Sequence, residues 1–550
     1  MVSVEWATMP GRTVLQWDKD DCADAGLVKF DLLGLGMLTA LRLAFTTLQE
    51  LQGLDLDLHS IPQEDPAVYD LLCAADTIGV FQVESRAQMA TLPRIRPRTF
   101  YDIVIEVALI RPGPIQGGSV NPYINRRRGR EAVSYPHPLL ENALKKTLGV
   151  PLFQEQLMQI AIDASGFSPS QADQLRKAMG AKRSHERMRE LRGELMEGMA
   201  AQGIDGPARE EIYSKLEAFA EFGFPESHSF SFAYLVYASA WLKAHYPENF
   251  YAGILAAQPM GFYSPQTLVA DARRHGVQIL PVDVCYSQEH SSVEVTPWRD
   301  VRRHSLVSAD PCRGLRLGLS NIKGLKDAID RILGARAERQ FDSVADLAYR
   351  ARLSTAELEH LAAAGALESL GMSRREGIWS AQALAYSGKK LGNWFQPAIP
   401  GFLVGARPPK LPAMSPVEEN ITELRTTGIS VATHPMDFLR ERLAGAGVLT
   451  IDALSTYPPG ERVKVAGIVT HRQRPHTASG ITFLSLEDET GLLNVICSVG
   501  LWERYRQILR TSRGLIIRGI VERADGVMNF VADGVERLDL AVSLPSRDFR

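Results

Sequence analysis

"GLVKFDLLGLGML" (residues 26–38) sets one carboxylate, Asp31, in an otherwise apolar run, with Lys29 two positions before it. Val28, Phe30, Leu32 and Leu33 predict a buried strand, and the glycines after them a tight exit. Residues i and i+2 of a strand point the same way, so Lys29 and Asp31 would share a face. A buried charge is costly unless it is paired or holds a metal. The two residues read either as a structural salt bridge or as one piece of a larger charged site.

Outward from this stretch, the chain has 550 residues, room for three or four domains, and a formal net charge of -3. The charge is unevenly spread. From Arg86 to Arg130 there are nine arginines (Arg86, Arg94, Arg96, Arg98, Arg111, Arg126, Arg127, Arg128, Arg130) against only Asp102 and Glu106. The five cysteines are scattered without CxxC spacing, which argues against a disulfide framework and a structural zinc. No apolar run reaches membrane-span length and no signal-type N-terminus is seen, so a cytoplasmic protein without a membrane partner is expected.

Residues 1–45 read as strand, turn and the start of a helix. Residues 60–285 are mostly helical by apolar spacing, broken by "RPGPIQGG" and "GFPESHS". Residues 286–312 are polar and read as an irregular connection, 313–371 as two helical hairpins, and 392–416 as a Pro/Gly-rich linker. The last segment changes class. "ERVKVAGIVTH", "ITFLSLED", "LLNVICSV", "RGLIIRGIVER" and "VMNFVAD" predict five strands, with the helix "GLWERYRQILRT" between the third and fourth. That is the order of an OB-fold, a barrel often used to hold single-stranded nucleic acid.

Several stretches carry recognisable chemistry. "LSNIKGLKDAI" (319–329) resembles a helix-hairpin-helix, whose glycine turn offers backbone N–H groups to a DNA phosphate, with Lys323 and Lys326 adding charge. An ordinary core hairpin is the alternative. Arg472, Arg474 and His476 fall in the expected loop after the first barrel strand, a usual contact loop; a protein-binding barrel with a solvated loop is the other option. Arg126, Arg127 and Arg128 suit phosphate neutralisation or a solvated face. Arg111 precedes a rigid Pro-Gly-Pro. Arg176, Lys177, Lys182 and Arg183 surround one turn and could grip a triphosphate. His228, Ser229 and Ser231 lead into a helix, although His228 alone also suits a structural role. No Ser-His-Asp triad or P-loop is present.

Taken in order, "GLVKFDLLGLGML", "DTIGVFQVESRAQM", "ALIRPGPIQGG", "PLFQEQLMQIA", "ADQLRKAMGAK", "FGFPESHSFSFAYLVYASAWLKAHYPENFYAGIL" and "LSNIKGLKDAI" are similar to the bacterial C-family DNA polymerases, the DNA polymerase III alpha-subunit family. The resemblance covers nearly the whole chain. It is nearest to the error-prone branch, through "VLQWDKDDCADAGLVKFDLLGLGML" and "PESHSFSFAYLVYASAWLK", where the replicative branch reads more like "NKSHSAAYA".

The resemblance implies a multidomain α+β protein: mostly α-helical fingers and a helix-hairpin-helix domain, a palm remnant at the N-terminus, and a C-terminal OB-fold β-barrel. The expected divisions are palm remnant 1–45, fingers 46–285, helix-hairpin-helix domain 286–400, linker and helical connection 401–450, OB-fold 451–542 and tail 543–550. It implies template-directed nucleotidyl transfer from dNTPs on primer–template DNA, in repair and induced mutagenesis. Asp31 matches a catalytic, metal-binding palm aspartate for Mg2+, and Lys29 a triphosphate contact. Arg176 and Lys177 match the cationic pair of the fingers, with Arg111, Lys182, His228 and Ser229 as further nucleotide-binding candidates. Arg126, Arg127, Arg128, Lys323, Lys326, Arg472 and Arg474 are the DNA-binding candidates.

A sliding clamp or mutagenesis accessory proteins are the further partners implied. The clamp peptide has "GNWFQPAIPGF" (392–402), with Trp394 and Phe395, as its nearest match, and linker packing is an equal explanation. The family's other two aspartates, its phosphoesterase-like domain and its thumb have no match here. The chain is therefore expected to correspond to a C-terminal half that shows no primer extension alone. A non-catalytic DNA- or partner-binding module derived from such a polymerase is the competing reading.

Overall fold

The computed structural model describes residues 2–8, 11–17, 21–22, 25–28, 32–110, 117–178, 184–219, 223–295, 313–385, 408–409, 411–475, 478–540 and 547–549. These fall into two compact units. One comprises Met1–Leu35 and Phe100–Tyr234, the other Gly36–Thr99 and Leu235–Arg550.

The first unit is helical. "DIVIEVAL" is apolar on every side, as a helix sunk in a core should be, and Asp102 to Leu109 are all buried in the helix Phe100–Leu109. A second cluster joins the helices Gln154–Ser165, Ser184–Ala201 and Gly206–Phe219 through Leu157, Ile160, Leu195, Met199, Ile212 and Leu216. At the N-terminus Val4–Trp6 pairs antiparallel with Thr13–Leu15. The strand expected around Asp31 is not formed by its described residues: Leu27 and Val28 are irregular, Leu33 is in a turn, and Val28 and Leu32 are 73% and 70% exposed. No strand ladder of the described residues includes Leu27, Val28, Leu32 or Leu33, and an apolar run without a ladder partner lacks the sheet it would pack with. Lys29, Phe30 and Asp31 lie outside the described residues.

The second unit opens with the helix Leu35–Gln52, which buries Met37, Ala40, Leu41, Ala44 and Leu48 at helical spacing. Gly253 of the helix Pro247–Ala256 lies against it so closely that a Cβ would sit 2.4 Å from the Ala40 carbonyl oxygen. A small sheet follows. Gln278–Leu280 runs parallel, and Ser292–Val295 antiparallel, to a central strand, Arg313–Arg316. Part of the stretch expected to be irregular, 286–312, is thus a strand, and Arg316 is held on it by Glu294 at 2.6 Å. Residues 296–312 and most of the expected linker (386–407 and 410), with Trp394 and Phe395, lie outside the described residues.

Helical hairpins then run through Lys326–Glu338, Val344–Arg350, Thr355–Ala363 and Arg374–Leu384. Capping boxes start the last two, Ser354 with Glu357 and Ser373 with Glu376.

The C-terminal strands are β1 (Arg462–Gln473), β2 (Thr482–Glu487), β3 (Leu492–Cys497), β4 (Gly514–Ala524) and β5 (Val527–Leu538). Two short helices lie between β3 and β4. β1 pairs with β2, β2 with β3, β3 with β5 in parallel, β5 with β4, and β4 back to β1. Alternate residues such as Val465, Leu484, Val495, Ile517 and Phe530 fill the interior. The molecule is α+β, with helical domains and a C-terminal OB-fold.

Candidate nucleic-acid interface

The basic block of the first unit is anchored by the helix Gly117–Arg127. Its cations are not equivalent. Arg127 grips the buried Asp102 carboxylate with two nitrogens, at 2.6 and 2.7 Å. Arg126 donates to Glu131 and to the Leu148 carbonyl, each at 2.8 Å. Both guanidinium groups thus hold the fold through partners of their own. Arg128 is half-exposed one position on.

The nucleotide candidates are only partly described. Arg111 and Lys182 lie outside the described residues; Lys177 falls on the helix Pro169–Ala178, with its side chain outside them. Arg176 on the same helix pairs with Asp173 at 2.8 Å. His228 is half-buried between the rings of Phe224 (5.3 Å) and Phe232 (4.1 Å). Ser229 is fully buried and donates its hydroxyl to the Val104 carbonyl. A serine closed off in this way joins two helices.

In the second unit the helix-hairpin-helix turn is present, with Gly324 at φ +79°. The Lys323 backbone N–H donates to the Thr426 carbonyl at 3.1 Å, and its ammonium to the Arg425 carbonyl at 2.9 Å. The C-terminal carbonyls of the helix Pro416–Thr426 thus stand where a phosphate would bind this amide. Lys326 is exposed.

In the barrel, β1 continues to Gln473, so Arg472 is on a strand and not in the loop expected for it. It is 7% exposed and donates to the carbonyls of Leu509 and Ser512. Those carbonyls close the helical segment after β3, which makes Arg472 a structural residue, contrary to expectation. Arg474, two residues on, is exposed and lies 5.6 Å from the Trp502 ring centre. His476 lies outside the described residues.

The outer face of β1–β2, where such barrels often bind strands, is covered by the unit's own helices. His471 stacks on Phe262 at 4.3 Å, Arg86 donates to Ser485 at 2.8 Å, and Thr267 donates to Glu487 at 2.8 Å. Burial pushes the Glu487 carboxyl up to about 7.

One group of possible metal ligands exists among the described residues: Asp76, Asp271 and His275. Lys243 already supplies its cation, with Nζ 2.9 Å from both carboxylates and 3.1 Å from the Ile78 carbonyl. Burial raises the Asp271 carboxyl, and the Lys243 and Arg274 charges outweigh it and bring it below the usual range. This fits a buried ion network and not a magnesium site. Sequence reading missed it, although a lysine inside the apolar run "VYASAWLKAHY" was the visible signal.

Comparison with known proteins gives these features a common frame. The chain matches the models of the bacterial DNA polymerase III alpha subunit finger domain (residues 37–203), a helix-hairpin-helix motif (276–377) and an OB-fold nucleic acid binding domain (463–538). In this order the three matches run from residue 37 to residue 538 and make the chain similar to the bacterial DNA polymerase III alpha subunit in its finger segment.

Over its whole length the chain is similar to error-prone DNA polymerases. It is 53% identical to that of Corynebacterium glutamicum over all of this chain and 50% of that protein. It is 52% identical to those of Nocardia farcinica and Mycobacterium tuberculosis, covering 47% and 48% of them. The chain spans about half the length of these relatives. Among solved structures, an asparaginyl-tRNA synthetase from Pyrococcus horikoshii matches 17% of the chain and 24% of its own, at 20% identity and a TM-score of 0.15.

Proposed function

We propose that this chain forms the finger, helix-hairpin-helix and OB-fold portion of an error-prone, DNA-directed DNA polymerase. The observation that carries the reading is the succession of those three domains in one chain that is 53% identical, end to end, to an error-prone DNA polymerase. Its substrates in that role are primer–template DNA and dNTPs, with repair and induced mutagenesis as the setting. Exposed Lys326 and Arg474 and half-exposed Arg128 neutralise DNA phosphates. Arg176 and Lys177 serve the triphosphate, with Lys29, Arg111 and Lys182 as its further contacts.

Polymerases of this family use a divalent metal; here Mg2+ is proposed, with Asp31 as one of its ligands. A metal held there would supply charge neutralisation at the reacting phosphate and an activated primer hydroxyl. No helix among the described residues is long and apolar enough to cross a membrane, and a cytoplasmic site of action is proposed. A sliding clamp or mutagenesis accessory proteins are proposed as further partners.

The test is primer extension by this chain joined in one polypeptide to the half of the Corynebacterium glutamicum enzyme that it does not span. Labelled dNTP incorporation lost in Asp31→Asn supports the reading. No incorporation above background, in a folded polypeptide that binds primer–template, overturns it in favour of a DNA-binding module without chemistry.

A further inference from the structure

In the helix Glu226–His245 the residues Phe232, Leu235 and Val236 go into the core, as an amphipathic pattern requires. Phe230 and Tyr234, four positions apart, do not follow them. Phe230 is half-buried and Tyr234 is 45% exposed, on a face shared with the exposed hydroxyls of Ser227 and Ser231. Phe100, at the start of the neighbouring helix, joins both, with its ring centre 4.8 Å from Tyr234 and 5.9 Å from Phe230. Tyr101 lies 5.7 Å from Phe230 and is covered on its own ring by the Lys146 ammonium at 5.3 Å. Phe100, Tyr101, Lys146, Phe230 and Tyr234 all belong to the first unit.

A continuous run of rings thus leads from exposed Tyr234 through half-buried Phe100 and Phe230 to half-buried Tyr101, under a cation. Lys145 is exposed beside Lys146. The nearby Glu226 carboxylate accepts the Tyr101 hydroxyl at 2.7 Å, and the Glu226 backbone N–H donates to Glu155.

We propose that this surface is a stacking platform for single-stranded DNA, with a base on the Tyr234 ring, bordered by the tilted ring of Phe100, and phosphates of the same strand at Lys146 and Lys145. Stacking on aromatic faces with lysines along the backbone is how proteins hold single strands without reading sequence. A protein-docking patch is favoured less, because lysines and serine hydroxyls border the rings. The site rests on the polymerase reading and adds to it a hold on unpaired template in the first unit, beyond the phosphate contacts proposed for Lys326 and Arg474.

The experiment uses the 550-residue chain and a short single-stranded oligonucleotide carrying one 2-aminopurine, whose fluorescence falls when the base stacks. Binding with quenching is expected from the native chain. Tyr234→Ala should weaken it roughly tenfold and abolish quenching at saturation. Tyr234→Phe should keep both, and Tyr234→Leu, apolar without a π-face, should lose both. Lys146→Gln should make the salt dependence shallower by about one phosphate. Tyr234 is exposed, and thermal melting of each variant confirms its fold. Unchanged affinity and quenching in Tyr234→Ala overturn the platform alone and leave the patch to a protein. A native chain that binds no oligonucleotide overturns both the platform and the polymerase reading beneath it.

Discussion

The ammonium of Lys243 lies 2.9 Å from the Asp271 carboxylate, and both side chains are shut away from solvent. Tyr251 donates to the same carboxylate at 2.6 Å and Arg274 at 3.1 Å. Removing the lysine leaves a buried carboxylate short of charge, so Lys243→Met should destabilise the second unit by about 3–5 kcal/mol. Pairing it with Asp271→Asn should recover much of the loss. Denaturant melts of the single and double variants check this. The Asp271 and Asp76 carboxyls titrate below their ordinary range, so the native network stabilises above the usual carboxylate pKa and weakens as pH falls below it.

Glu106 is buried in the helix Phe100–Leu109 with neither carboxyl oxygen hydrogen-bonded, and burial pushes it up to about 8. A raised carboxyl stabilises fully below its unfolded value near 4.5. The loss grows as pH climbs toward the folded value, reaching roughly 3 kcal/mol by neutral pH. Glu106→Leu should therefore melt higher than the native chain at pH 7, with the gap narrowing toward pH 4.5. Calorimetry across that range decides it, and a gap that does not change with pH contradicts it.

Gly253 packs where a Cβ would meet the Ala40 carbonyl oxygen at 2.4 Å. Backbone cannot yield as a flexible side chain would, so Gly253→Ala should cost on the order of 1–3 kcal/mol, as overpacked cores do. A thermal melt of the variant reads this directly.

Much of the architecture was legible in the sequence because its signals are local. The alternation in "VKVAGIVTH" and "FLSLED" specifies two-faced strands, and the helix after the third strand specifies the barrel order. Charged side chains were harder to read. Arg472, Arg127 and Arg126 look like phosphate contacts in sequence, yet each meets carbonyls or carboxylates far along the chain: Ser512, Asp102 and Leu148. Spacing along a chain reports which face a residue takes and says nothing of the acceptor waiting there. The burial of Ser229 was hidden for the same reason, since its acceptor, the Val104 carbonyl, is 125 positions away.

The difference between those arginines and the surface cations separates two kinds of variant. Arg472→Gln should lower the melting temperature of the barrel and leave the salt dependence of DNA binding unchanged. Lys326→Gln should leave the melt unchanged and make the salt dependence shallower by about one phosphate.

The most direct test of the account is the affinity of the 550-residue chain for primer–template DNA, measured by filter binding across a series of salt concentrations. The account predicts tight binding at low salt and a linear fall of log K with log salt, as neutralised phosphates release their counterions. No binding at low salt, or an affinity indifferent to salt, would contradict it.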